Sequence, residues 1–200
     1  LRILIQGGRV IDPATQHDAV ADVLVEDGTI IAVERSIDAG EDAHVVDAKG
    51  LVVTPGLVDM HTHLREPGYE YKEDIASGSR AAARGGFTAI ACMPNTNPVL
   101  DNEGLISSVV RRGNEAGLCR VHPIAAITKG SAGTELTEMN VLKEAGAVGF
   151  SDDGFPVESS RVMRRALEYS KLTGLSIISH SEEKALSAGG HMHEGEVSTR

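Results

Sequence analysis

Apolar residues follow two different rhythms along the chain. Over residues 1–52 they come in short alternating runs, Ile3-Leu4-Ile5, Val23-Leu24-Val25 and Ile30-Ile31-Ala32-Val33, and Glu26-Asp27-Gly28-Thr29 carries a hairpin-turn signal between the last two. This stretch reads as a small β module. Over residues 53–200 a strand-like run is followed by a helix-like run at intervals of roughly 30 residues, the pattern of βα units that build a parallel sheet. Strands are predicted at 57–63, 87–93, 120–127, 147–151 and 175–179. Helices are predicted near 72–84, 102–116, 137–145 and 158–173, several of them stopped by glycine at Gly85-Gly86, Gly117, Gly146 and Gly174. The fold class that follows is α/β, a (β/α)8 TIM-type barrel of which about five βα units are present, preceded by the β module.

Composition narrows the class. With 41% hydrophobic and 24% charged residues and no low-complexity tract, the chain has the make-up of a soluble globular protein. No apolar stretch reaches the roughly 20 residues that span a bilayer, and no basic-then-apolar leader opens the chain, so a cytoplasmic protein without a membrane partner is expected. A net charge of −10 with no Lys/Arg cluster and no Trp argues against nucleic acid, because phosphate contacts need concentrated positive charge. Cys92 and Cys119 lack the spacing of a metal knuckle and are expected as buried free thiols.

Chemistry gathers at the predicted strand ends. The first strand ends in His61-Thr62-His63, and alternate residues of a strand point the same way, so both imidazoles can reach one metal ion. Arg65 continues the alternation and can hold a carboxylate in its planar fork. A pair of satisfied core histidines is the bland alternative, but it has no need of the arginine or of polar residues at other strand ends. Those include Pro94-Asn95-Thr96-Asn97, Asp152-Asp153-Gly154 and His180-Ser181-Glu182. In a (β/α)8 barrel all such ends share one face.

Four segments, DMHTHLREPG (59–68), GGFTAIACMPNTNPVLDN (85–102), GFSDDG (149–154) and ISHSEE (178–183), resemble the bacterial dihydroorotases of the amidohydrolase superfamily. The likeness covers nearly the whole chain and implies a composite β-sandwich for 1–52 and the N-terminal part of a metal-dependent barrel for 53–200. It implies metal ligation by His61, His63, Asp153 and His180, with Asp153 bridging two ions, and substrate binding by His63, Arg65 and Asn95. The cofactor implied is Zn2+, one or two per subunit. The reaction implied is the interconversion of N-carbamoyl-L-aspartate and dihydroorotate in pyrimidine synthesis. Aspartate transcarbamoylase is a partner the resemblance suggests, and a homo-oligomer is expected.

The residues suit that chemistry. Opening a cyclic amide at neutral pH calls for a polarised carbonyl and an activated water, both of which a divalent cation supplies. Arg65 and Asn95 add groups for a substrate carboxylate and a ring amide. Hydantoinase, dihydropyrimidinase and allantoinase are the neighbouring readings. Those enzymes typically bridge their metals with a carboxylated lysine on the fourth strand, which here reads Ala147-Val148-Gly149-Phe150-Ser151-Asp152-Asp153, and Lys143 falls in the preceding helix. Strand alternation alone leaves Asp152 and Asp153 undecided, since the chain is turning into a loop there.

Length sets a further expectation. A TIM barrel takes about 250 residues, whereas about 150 follow the β module, so a further histidine and the general acid/base aspartate of the family are expected after residue 200 and no catalytic residue is assigned in this chain. A noncatalytic dihydroorotase-like subunit supporting aspartate transcarbamoylase is the alternative from another class, and retention of His61, His63 and His180 speaks against it. His191-Met192-His193-Glu194 repeats the His-x-His spacing but follows Gly189-Gly190 and is expected to be a loop without a ligand role. His122 is expected as a strand or supporting histidine, His17 and His44 as surface residues, and Lys129 as a solvated loop charge.

Overall fold

A computed structural model describes residues 1–193 and 195–198. The chain divides into two compact units, Leu1–Gly56 and Leu57–Arg200. In the first, β1 (Arg2–Asp12), β2 (His17–Glu26), β3 (Thr29–Glu34), β4 (His44–Asp47) and β5 (Val52–Val53) form one mixed sheet. The order is β3-β2-β1-β4, with β1 antiparallel to β2 and parallel to β4 and β5. The β2–β3 hairpin closes through Asp27 and Gly28, at φ +48° and +80°, the pair of left-handed residues that a two-residue turn needs to follow strand twist. Leu4, Leu24 and Ala39 pack as one small core, and Val10, Ala21 and Val23 as another.

The second unit alternates strand and helix: β6 (Leu57–Thr62), α1 (Ile75–Arg84), β7 (Phe87–Cys92), α2 (Glu103–Ala116), β8 (Arg120–Ala125), α3 (Met139–Glu144), β9 (Gly149–Phe150), α4 (Ser160–Thr173) and the short α5 (Lys184–Ser187). The sheet is parallel in the order β6-β7-β8-β9. The strand predicted at 175–179 is reduced to a bridge: Phe150 pairs with Ile177, donating its N–H to Ser176 and accepting from Ile178. The strand predicted at 147–151 likewise shrinks to Gly149–Phe150.

Local chemistry explains the helix limits. Asp74, Asn102 and Ser159 cap α1, α2 and α4 by accepting from backbone N–H groups three residues on. Gly117 and Gly174 close α2 and α4 in the left-handed region, as their sequence positions predict. The core runs from Ile75 on α1 through Ile90 and Cys92 on β7, Ile106 and Val109 on α2, and Ile124, Met139, Leu142, Phe150 and Ala166 beyond, each buried. At Gly113 a Cβ would lie 2.7 Å from Val121 Cβ, so only glycine lets α2 approach β8 this closely. No helix of the described residues is long and apolar enough to cross a membrane.

Candidate metal centre

The first predicted ligand pair sits at an irregular strand end. Asp59 pairs with Ile90 and Thr62 with Cys92, so three steps on β6 match two on β7 and one extra residue bulges out near Met60-His61. β6 stops at Thr62, whose hydroxyl donates to Ala91 O at 2.9 Å and whose carbonyl accepts from Met93 N at 2.9 Å. His63 therefore lies just past the strand. The simple alternation expected through Arg65 does not hold, because Leu64 turns into the core and Arg65 takes φ +60°. The two histidines nevertheless converge, with ring centroids 5.2 Å apart and planes at 66°.

Asp153 joins them from beyond β9, the strand at the opposite edge of the sheet. His61 Nε2 is 3.3 Å and His63 Nε2 3.9 Å from Asp153 Oδ1. One donor atom from each of the three residues falls within 4.8 Å of the others. Tetrahedral zinc with bonds of about 2.0–2.1 Å separates its donors by about 3.3 Å, so two neutral imidazole nitrogens and a carboxylate oxygen at these spacings fit a divalent ion. His61 is exposed, whereas Asp153 and His63 are partly buried.

The structure separates the two adjacent aspartates. Asp152 is 2% exposed and points away from the histidines, accepting from Ile127 N at 2.8 Å, Thr128 N at 3.0 Å and Thr128 Oγ1 at 2.5 Å. Burial pushes its carboxyl above the ordinary carboxylate value against the pull of these donors. Asp153, at φ +50° with its N–H on Ser151 Oγ, is turned to the histidines.

Asn95 follows β7 and touches the same cluster. Its Nδ2 donates to Asp153 Oδ2, and its Oδ1 lies 3.0 Å from His63 Nδ1. The loop that carries it is built firmly, with Thr96 Oγ1 on Pro98 O at 2.7 Å and Leu100 N on Pro94 O at 3.1 Å. The Arg65 loop is laced to it. Asn97 N donates to Pro67 O at 3.0 Å, and a Cβ on Gly68 would meet Asn97 O at 2.0 Å. Buried Glu66 anchors the loop from below by accepting from Ile75 N at 2.8 Å and pairing with Arg112 of α2. Sequence reasoning missed Glu66, and nothing but its place beside Arg65 pointed to it.

His180 stands apart from this cluster. It is exposed and its Nε2 lies 2.8 Å from Glu182 Oε2, while Ser187 Oγ and His180 together hold the Glu182 carboxyl below its ordinary value. Lys129 pairs with Glu135, which raises its ammonium pKa and fits the solvated loop charge expected. Cys92 is buried, its thiol pushed up to about 12 by desolvation, whereas Cys119 is only half-buried, short of the burial expected for both thiols. Of the second His-x-His motif, Glu194 lies outside the described residues, as do Thr199 and Arg200.

The sequence profile of the family described as Dihydro-orotase-like matches residues 50–200. The chain belongs to the dihydro-orotase-like family. It is 55% identical over 199 residues to a dihydroorotase of Geobacter sp. (strain M21) and 56% identical over 199 residues to one of Geobacter sulfurreducens; each match covers 100% of this chain and 47% of the relative. The chain thus spans about half the length of the curated relatives it matches. Among solved structures, the L-hydantoinase (dihydropyrimidinase) from Arthrobacter aurescens superposes with a TM-score of 0.75 at 23% identity, over 94% of this chain and 44% of that one. A crystal structure of a dihydroorotase gives 0.61 at 15% identity over 91% and 51%. At these identities the likeness establishes the shared barrel-type fold of this dihydro-orotase-like chain.

Proposed function

We propose that the whole protein is a zinc-dependent dihydroorotase that interconverts N-carbamoyl-L-aspartate and dihydroorotate in pyrimidine synthesis. What supports the reading is the convergence of His61, His63 and Asp153, with three donor atoms inside 4.8 Å, in a chain 55% identical to proteins of that name. His61, His63 and Asp153 would hold the metal, and His180 is the candidate ligand for a second ion. A divalent cation there supplies Lewis acidity for the ring carbonyl and lowers the pKa of water.

The remaining work falls to the protein's own side chains. Arg65, two residues past His63, would offer up to five N–H donors to the substrate carboxylate. His63 is a further candidate contact for the substrate. Asn95 keeps one amide N–H and one carbonyl lone pair beyond those used on Asp153 and His63, enough to meet the substrate as well.

The test is steady-state interconversion by the whole zinc-loaded protein. Arg65→Ala should raise KM for dihydroorotate at unchanged zinc content. Equal turnover of a ring amide that lacks the carboxylate would overturn the substrate assignment.

A further inference from the structure

Asn95 meets two of the three clustered side chains through one amide, and chemistry dictates which way that amide faces. An ionised carboxylate only accepts hydrogen bonds, so Asp153 Oδ2 takes the Nδ2 group. The amide oxygen is thereby turned to His63 Nδ1, 3.0 Å away, and it too only accepts. His63 must then donate from Nδ1. In the neutral ring this leaves the lone pair on Nε2, the atom that looks onto Asp153 Oδ1 beside His61 Nε2.

We infer that Asn95 is a positioning residue that sets both the metal-binding tautomer of His63 and the rotation of the Asp153 carboxylate. The inference rests on the metal-centre reading above and adds to it a task that needs no substrate. Free neutral histidine prefers its proton on Nε2, which would block the nitrogen facing the site. Asn95 reverses that preference. The same amide occupies Asp153 Oδ2 and leaves Oδ1 directed at both histidines, so two ligands that follow different strands are set by a single side chain. Its own placement is firm, because the buried Thr96 next to it is tied to Pro98 O and Met93 N is tied to Thr62 O. Partners that orient metal ligands typically alter affinity by about 10–100-fold when removed.

The test uses the full chain, with Asn95→Leu, which keeps the branched heavy-atom shape and removes both hydrogen bonds, and the smaller Asn95→Ser. Nitrogen-15 imidazole shifts of the metal-free protein in mildly alkaline buffer read the tautomer. Zinc affinity is read by competition with a chromophoric chelator, the ligand field by the visible spectrum of the Co2+ form, and the fold by far-UV circular dichroism. Wild-type His63 should carry its proton on Nδ1, and Asn95→Leu should move it to Nε2, alter the Co2+ spectrum and weaken zinc binding by about 10–100-fold. Unchanged affinity and spectrum in a folded variant would overturn the inference and leave Asn95 as a substrate contact alone. Should the leucine variant lose its fold, the serine variant and the wild-type tautomer decide, since an Nε2–H tautomer in wild-type His63 overturns the inference by itself. Wild-type protein that takes up no zinc yet keeps the Nδ1–H tautomer would overturn the metal-centre reading and, with it, the purpose assigned to Asn95.

Discussion

The carboxylate of Asp152 is locked to Thr128, accepting both its N–H at 3.0 Å and its hydroxyl at 2.5 Å. A third donor, Ile127 N, completes the clamp at 2.8 Å. The clamp ties the end of β9 to the loop after β8, and the next residue, Asp153, is thereby turned out toward the histidines. Adjacent and chemically identical, the two acids have opposite surroundings.

Replacing each by asparagine should separate stability from metal binding. Asp152→Asn sets an NH2 group against buried donors and should cost about 1–3 kcal/mol in urea unfolding. Asp153→Asn keeps a residue tolerant of the left-handed region and should change stability by less than about 1 kcal/mol while greatly reducing zinc uptake. Equal effects of the two on both measurements would contradict the division.

Asp74 predicts a pH dependence. Its carboxyl is held below the ordinary 3.8, first by the Ser77 backbone N–H and then by the Ser77 side chain. A carboxyl with a lowered folded-state pKa stabilises the fold above its unfolded value, and the contribution is lost as the pH falls through the folded value. Asp74→Ala should therefore cost about 1 kcal/mol near neutrality. The gap to wild type should close as the pH drops below 3.8, followed by urea midpoints at stepped pH.

Gly113→Ala should destabilise the second unit although alanine favours helix. The new methyl would sit 2.7 Å from Val121 Cβ, and overpacking of this kind costs about 1–3 kcal/mol against a propensity gain of about 1 kcal/mol. A net loss in thermal unfolding is expected, and an increase would mean that α2 moves off β8 without penalty.

The two thiols should differ in reactivity. Cys92 is buried with its pKa pushed up to about 12, and Cys119 is half-buried. A thiol reagent at mildly alkaline pH should label Cys119 first and reach Cys92 only on unfolding, as mass mapping of the labelled peptides would show. Prompt labelling of Cys92 in the folded chain would contradict this.

Sequence periodicity made the βα order legible because each βα unit buries its own apolar stripe, and the helix stops at Gly117 and Gly174 were legible because only glycine takes those backbone angles cheaply. The His61–His63 pair was legible from spacing, but the route to it was not: a bulge in β6 and a left-handed turn at Arg65 replace plain alternation, and neither bulge nor turn has a local signature there. The choice between Asp152 and Asp153 depends on Thr128, 24 residues away, so no local pattern carried it. Asn95 was readable as a polar strand-end residue; that both ends of its amide are spoken for is a tertiary fact.

The contact of Gly68 with Asn97 has a consequence for ligand choice. Backbone lies against backbone there, and the Pro67–Asn97 hydrogen bond fastens the same point, so the segments bearing Arg65 and Asn95 are tied together two residues from each. Under the proposed function, this link would set the separation at which a ligand's anionic end and its amide are read, so that discrimination would be a matter of measuring length.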